Sequence, residues 1–206
     1  MNPFNKTPKL SAALKLAFCL AICLAASSCL PEAAWQHPVP LYRQPPPPTA
    51  FPQSPPPGPG IYFLAEVEGE VLRLANEARR QNHVPPLTGN QALAEAARRH
   101  SGDMLGRGFF SHTNPDGLSA HQRLPRNYAQ VLRQSGENIW MGSGYNPYDS
   151  RRLAGTIMSS LMASPGHRQN LLDPQYTHLG AGVASWGGEV RATQVFGQLP
   201  GNLAHR

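Results

Sequence analysis

Apolar residues recur at steps of three and four from Leu64 through Val67, Val71 and Leu74 to Ala78, the spacing of one buried helix face. Val84-Pro85-Pro86-Leu87 ends that run, because consecutive prolines remove backbone donors. A second helix is expected after Asn90, whose side chain suits an N-cap, with Leu93, Ala97, His100 and Met104 on its inner face. Gly106 and Gly108 close it. A shorter helix is expected over Ala120 to Leu124, stopped by Pro125, and Ser135 to Trp140 reads as extended. Asp149 or Ser150 caps a further helix that buries Leu153, Ile157 and Leu161. The period then changes to two in the runs His178 to Trp186 and Val190 to Gln198, joined by Gly187-Gly188, the pattern of a β-hairpin. Helices followed by an antiparallel pair predict an α+β fold instead of a βαβ repeat.

None of this periodicity extends upstream of Ile61. Residues 30–60 are dominated by proline, including Pro45-Pro46-Pro47-Pro48 and Pro55-Pro56-Pro57, and are expected to form a disordered or polyproline spacer ahead of a domain at 61–206. Residues 1–29 have the layout of an export signal. Lys6, Lys9 and Lys15 precede the apolar run Leu16 to Ala26, which is short for a membrane-spanning helix. Ala26-Ser27-Ser28-Cys29 then resembles a relaxed lipoprotein cleavage site, with Cys29 as the lipidated residue. Ordinary cleavage nearby, giving a secreted or periplasmic protein, and retention as an uncleaved anchor stay open. Cys19, Cys23 and Cys29 are the only cysteines, so the domain has no disulfides and relies on its core alone.

The formal charge of +6 suggests an acidic partner until its distribution is considered. From Ile61 onward 14 Arg are interleaved with 11 acids, with no block of one sign and no basic recognition helix, so nucleic-acid binding is not expected.

Three segments place a chemically capable side chain beside a bend. In Phe109-Phe110-Ser111-His112-Thr113-Asn114-Pro115-Asp116-Gly117, two core-type aromatics run into His112 and a type I turn. The second is Gly136-Glu137-Asn138, and the third is Ser164-Pro165-Gly166-His167-Arg168. Each has an ordinary structural alternative: His100 can simply pack in its stripe, Glu137 can receive backbone N–H groups, and His167 can cap a helix. Two imidazoles and one carboxylate suit general acid–base work or a catalytic zinc with an open position. No His-Glu-x-x-His helix, Gly-x-Ser-x-Gly elbow or thiol nucleophile is present in the domain.

Taken in order, these segments resemble the CAP superfamily of cysteine-rich secretory, antigen 5 and pathogenesis-related proteins, in its bacterial extracellular form. The resemblance rests on Asn76-Glu77-Ala78-Arg79, Pro86-Leu87, Leu93 to Ala97, Phe110-Ser111-His112, Asp116-Gly117 and Gly136-Glu137-Asn138-Ile139. It continues through Ser164 to Leu172, Leu179-Gly180-Ala181-Gly182-Val183 and Gln194 to Gly197. It implies a three-layer α-β-α sandwich with an antiparallel sheet and a cleft holding His112, Glu137 and His167. Ser111, Asn138, Ser164 and Arg168 are the ligand contacts it implies, and His112 with His167 the residues for a divalent metal such as zinc. Ser164 stands where eukaryotic members often carry a second glutamate, which weakens any two-carboxylate mechanism.

Three readings follow: a monomeric module that binds a lipid, glycan or peptide of the cell envelope, a hydrolase of an envelope polymer using Glu137 as base, or a structural domain with an idle cleft.

Overall fold

The computed structural model describes residues 60–200; the leader, Cys29 and almost all of the proline-rich segment lie outside the described residues. In chain order the elements are β1 (Tyr62–Phe63), α1 (Ala65–Gln81), β2 (Thr88–Gly89), α2 (Gln91–Gly106), α3 (Arg126–Ala129), β3 (Gln134–Ser143), α4 (Ser150–Ala163), α5 (Pro165–Leu172), β4 (His178–Trp186) and β5 (Glu189–Gln198). The sheet runs β1-β4-β5-β3, antiparallel throughout, and β2 adds a short parallel pairing to β4.

Helices cover both faces of this sheet, which makes the fold a three-layer α+β sandwich. On one face, Leu179, Val183, Ala192 and Phe196 pack with Val67, Val71 and Ala75 of α1 and Leu153, Ile157 and Leu161 of α4. On the other, Val195 meets Leu93 and Ala97 of α2. With both faces covered, β4 and β5 are buried almost without a break, although their sequences alternate. Gly180 and Gly182 let α2 approach closely, since a Cβ on either would stand 2.0 or 2.1 Å from the helix backbone at Ala94 or Arg98.

The capping expectations hold at two helices. Asn90 accepts Leu93 N–H at 3.1 Å, and Asp149 accepts Arg152 N–H at 3.2 Å. The helix expected over Ala120 to Leu124 is instead a series of turns, and α3 starts after Pro125. Proline disfavours helical backbone at the residue before it, here Leu124, whereas at a helix entry its fixed φ and missing N–H are harmless. The same logic accounts for α5, which begins at Pro165 where a bend was expected.

Two side chains of α1 tie distant segments to it. Asn76 mimics a strand, donating to Leu87 O at 2.9 Å and accepting Leu87 N–H at 2.7 Å. Arg79 has no exposed surface. Its guanidinium donates to Pro85 O at 2.6 Å, to Leu171 O and Asp173 O at 3.0 Å, and to Tyr176 O at 3.2 Å. One buried cation thereby closes the C-terminal end of α5, where free carbonyls carry partial negative charge.

Candidate functional site

β3 is an edge strand, and its consecutive residues Glu137 and Asn138 point to opposite sheet faces. That alternation builds the site. On the α2 side, Glu137 Oε1 lies 2.9 Å from His112 Nδ1. A carboxylate can only accept, so Nδ1 carries the hydrogen, and in the neutral imidazole the lone pair sits on Nε2. On the other side, Asn138 Nδ2 donates to His167 O at 3.1 Å and to Gln194 Oε1 at 3.1 Å. Asn170 Nδ2 donates to Asn138 Oδ1 at 2.9 Å and to Glu137 O at 3.2 Å, fixing α5 along the strand. The Gly136 preceding them is required by volume: a Cβ there would meet the Tyr176 hydroxyl at 2.3 Å.

The turn after His112 forms as expected, with Gly117 N–H donating to Asn114 O at 2.9 Å. Of the two aromatics, Phe109 is half-buried and packs on His100, 5.8 Å between ring centroids, whereas Phe110 is exposed. The residue that composition did not flag is Arg123, buried within the turns before α3. Its Nη1 donates to His112 O at 2.8 Å and to Leu118 O at 2.9 Å, and its Nη2 donates to Glu137 Oε2. An arginine between Gln122 and Leu124 carries no periodic or motif signal, so only the folded structure reveals it.

Both oxygens of Glu137 are therefore engaged, one by His112 and one by Arg123, and the residue is 8% exposed. In this geometry Glu137 holds His112 through Oε1, and to act as a general base it would have to give up one of these two bonds. The His112 side chain is 55% exposed, so its Nε2 is the open end of an Arg123–Glu137–His112 chain. His167 is half-buried, and burial first, then the nearby His112, lower its affinity for a proton. The two imidazoles thus share one electrostatic neighbourhood.

The expected ligand contacts divide. Asn138 has no exposed surface and positions α5 rather than reaching a ligand. Arg168 donates to Asn82 Oδ1 at 3.0 Å, at the end of α1 instead of the histidine pair. Ser111 is exposed and accepts Thr113 N–H at 3.2 Å; Ser164 is half-buried ahead of α5 and makes no side-chain cap bond. For a metal the donor set is short. With Glu137 committed, two imidazoles remain, and among the described residues no group of three or more His, Cys, Asp or Glu is placed to hold an ion. A zinc centre of three protein ligands does not fit here.

Beneath the site, His100 packs as its stripe predicts, without exposed surface. Its Nε2 lies 2.9 Å from Ser111 O and so carries the hydrogen, and the buried Nδ1 has no partner. Burial pushes this imidazole down to about 4, with Glu137 opposing and Arg123 adding to the shift. A folded-state value below the unfolded one means that the unfolded chain binds more protons between the two. Stability should therefore be complete above about pH 6.5 and fall as pH drops toward 4, by at most on the order of 3 kcal/mol from this residue. Urea denaturation across that window should show the slope, and His100→Gln should flatten it; an unchanged slope would assign the acid lability elsewhere.

The sequence profile of the cysteine-rich secretory protein family matches residues 72–196. Two uncharacterised Bacillus subtilis proteins are similar: YkwD, 28% identical over 60% of this chain and 45% of its own length, and the membrane protein YlbC, 35% identical over 56% of this chain and 31% of its own. The chain thus spans less than half of the curated relatives it matches. Among solved structures, an extracellular Bacillus anthracis protein containing an SCP domain superposes with a TM-score of 0.52 at 29% identity, over 65% of this chain and 41% of that one. With the sandwich, the edge-strand Glu137 and the flanking histidines, the match over more than half of the sequence establishes that this chain belongs to the cysteine-rich secretory protein, or CAP, family.

Proposed function

We propose that this protein is an exported, envelope-tethered CAP domain that binds a ligand of the cell envelope, a lipid, glycan or peptide, through His112 and His167. The observation that carries this reading is the chain Arg123–Glu137–His112, in which a buried ion pair orients an exposed imidazole. The buried carboxylate fixes the imidazole through Nδ1 while more than half of the side chain stays exposed, so the far nitrogen can meet a ligand. The lone pair on His112 Nε2 accepts from a ligand O–H or N–H, and a neutral His167 beside it can do the same. Tethering rests on the leader with Cys29 and on the company of an extracellular and a membrane protein among the relatives. A divalent cation held by the two imidazoles would be a weak, exchangeable addition.

A second reading uses the same geometry. An imidazole held by a carboxylate through Nδ1 is arranged as a general base, so a hydrolase would deprotonate water or a hydroxyl at His112 Nε2, with Glu137 stabilising the imidazolium. Purified His112→Ala and His167→Ala proteins should differ from the parent by less than about 1.5 kcal/mol in urea denaturation, because neither side chain is fully buried and water can take the place of the imidazole. Both should lose binding in a titration against lipid vesicles, peptidoglycan fragments and envelope peptides, and the hydrolysis reading adds loss of turnover at His112. Equal, large stability losses with unchanged binding would leave His112 a structural residue.

A further inference from the structure

Away from the histidines, α1 and α2 frame a recess of about 420 Å3 over the outer side of β4. Two polar side chains of its lining are buried by more than nine-tenths, Glu68 at 5% and Asn90 at 4% exposed, whereas Arg98 is half-buried and Gln91 exposed. Glu68 is fully used, since Arg98 Nε donates to its two oxygens at 3.0 and 2.8 Å and Val183 N–H to Oε1 at 3.0 Å. Asn90 is not. Its Oδ1 is fixed as the cap of α2, which defines the other atom as nitrogen, and that buried Nδ2 has no partner.

The backbone adds a matching pair. Leu179 O accepts Asn90 N–H at 3.0 Å and Val183 O accepts Leu64 N–H at 2.9 Å, so these alternate residues turn outward. Ala181, midway between them, turns its N–H and C=O the same way. β2 reaches Leu179 and β1 reaches Ala184, leaving a gap one amide unit long that no described strand fills.

We propose that this recess binds the pendant acetamido group of an N-acetylated sugar. The acetamido C=O accepts from Asn90 Nδ2 and Ala181 N–H, its N–H donates to Ala181 O, and its methyl rests on Leu72. The Glu68–Arg98 pair leaves the recess without net charge, which favours a neutral amide over a carboxylate or phosphate. β1 and β2 bracket the gap, so an extended peptide cannot run through it, whereas a side group can enter. This site is separate from the histidine pair and does not depend on its role.

The test is titration calorimetry of the full mature protein with triacetylchitotriose, its deacetylated counterpart and an acetyl-lysine peptide. The acetylated trimer should bind at least about tenfold more tightly than either of the others. Gly69→Leu should abolish binding without unfolding the protein, because a Cβ at Gly69 meets nothing within 4 Å and leucine favours the helix. Asn90→Asp keeps the cap, loses the donor, and should weaken binding at least about tenfold. No binding by the parent, equal binding of the acetylated and deacetylated trimers, or indifference to Gly69→Leu would each overturn the assignment. Preference for the acetyl-lysine peptide would overturn the sugar as occupant.

Discussion

Replacing Arg79 by methionine is expected to lower the unfolding free energy by about 3–5 kcal/mol, although methionine fits the same buried volume. The guanidinium is shut off from water and satisfies four backbone carbonyls, from Pro85, Leu171, Asp173 and Tyr176. Methionine supplies no donor, so these carbonyls lose partners in places water does not readily reach. Arg79→Lys keeps the charge but gathers its three donors at one point. It cannot span carbonyls arriving from separate segments and should recover less than half of the loss. Because Arg79 ties α1 to the end of α5, the loosening should also reach His167, five residues before the end of that helix. Urea denaturation followed by circular dichroism measures the stability, and amide exchange at Leu171 and Tyr176 localises it. A change below about 1 kcal/mol would mean that water replaces the guanidinium and that the fold does not lean on it.

Arg79 and Arg123 show why part of this architecture was not legible beforehand. Arginine is ordinarily a surface residue, and nothing in a hydropathy pattern separates a solvated guanidinium from one that collects backbone carbonyls in the interior. The elements that did emerge from the pattern are those whose burial repeats. The stripes of α1, α2 and α4 and the closing hairpin are periodic over many residues, and Asn90 and Asp149 sit where a cap must be. β1 and β2 have two residues each, too few to show a period, and their places depend on the outer side of β4. At the site, the motif brought His112, Glu137 and His167 forward together. It misjudged Asn138 because adjacent strand residues face opposite ways: with Glu137 turned to His112, Asn138 had to turn into the layer under α5. The resemblance placed Arg168 among the ligand contacts, whereas its hydrogen-bond partner in the structure is Asn82.

Glu137→Gln should cost far more than either histidine substitution, about 3–5 kcal/mol, because it strands the Arg123 cation in the interior. Arg123 side-chain exposure is 3% and that of Glu137 is 4%, so neither charge has water to fall back on. An amide in place of the carboxylate offers one acceptor for two donors. Either Arg123 Nη2 or His112 Nδ1 then faces an N–H group, and the side chain loses the charge that balances the guanidinium. His112 differs in kind: with its side chain half exposed, removal leaves Glu137 Oε1 accessible to solvent while Arg123 holds Oε2. The double variant Arg123→Met/Glu137→Gln removes both buried charges. It should be less destabilised than the sum of its single variants, by an interaction energy of about 2–3 kcal/mol. Three proteins and the parent, denatured in urea at pH 7, close the cycle. Were Glu137 a free, hydrated base, Glu137→Gln would leave stability within about 1 kcal/mol and the cycle would be additive, which would return catalysis to the carboxylate and remove the argument for His112 as the oriented group.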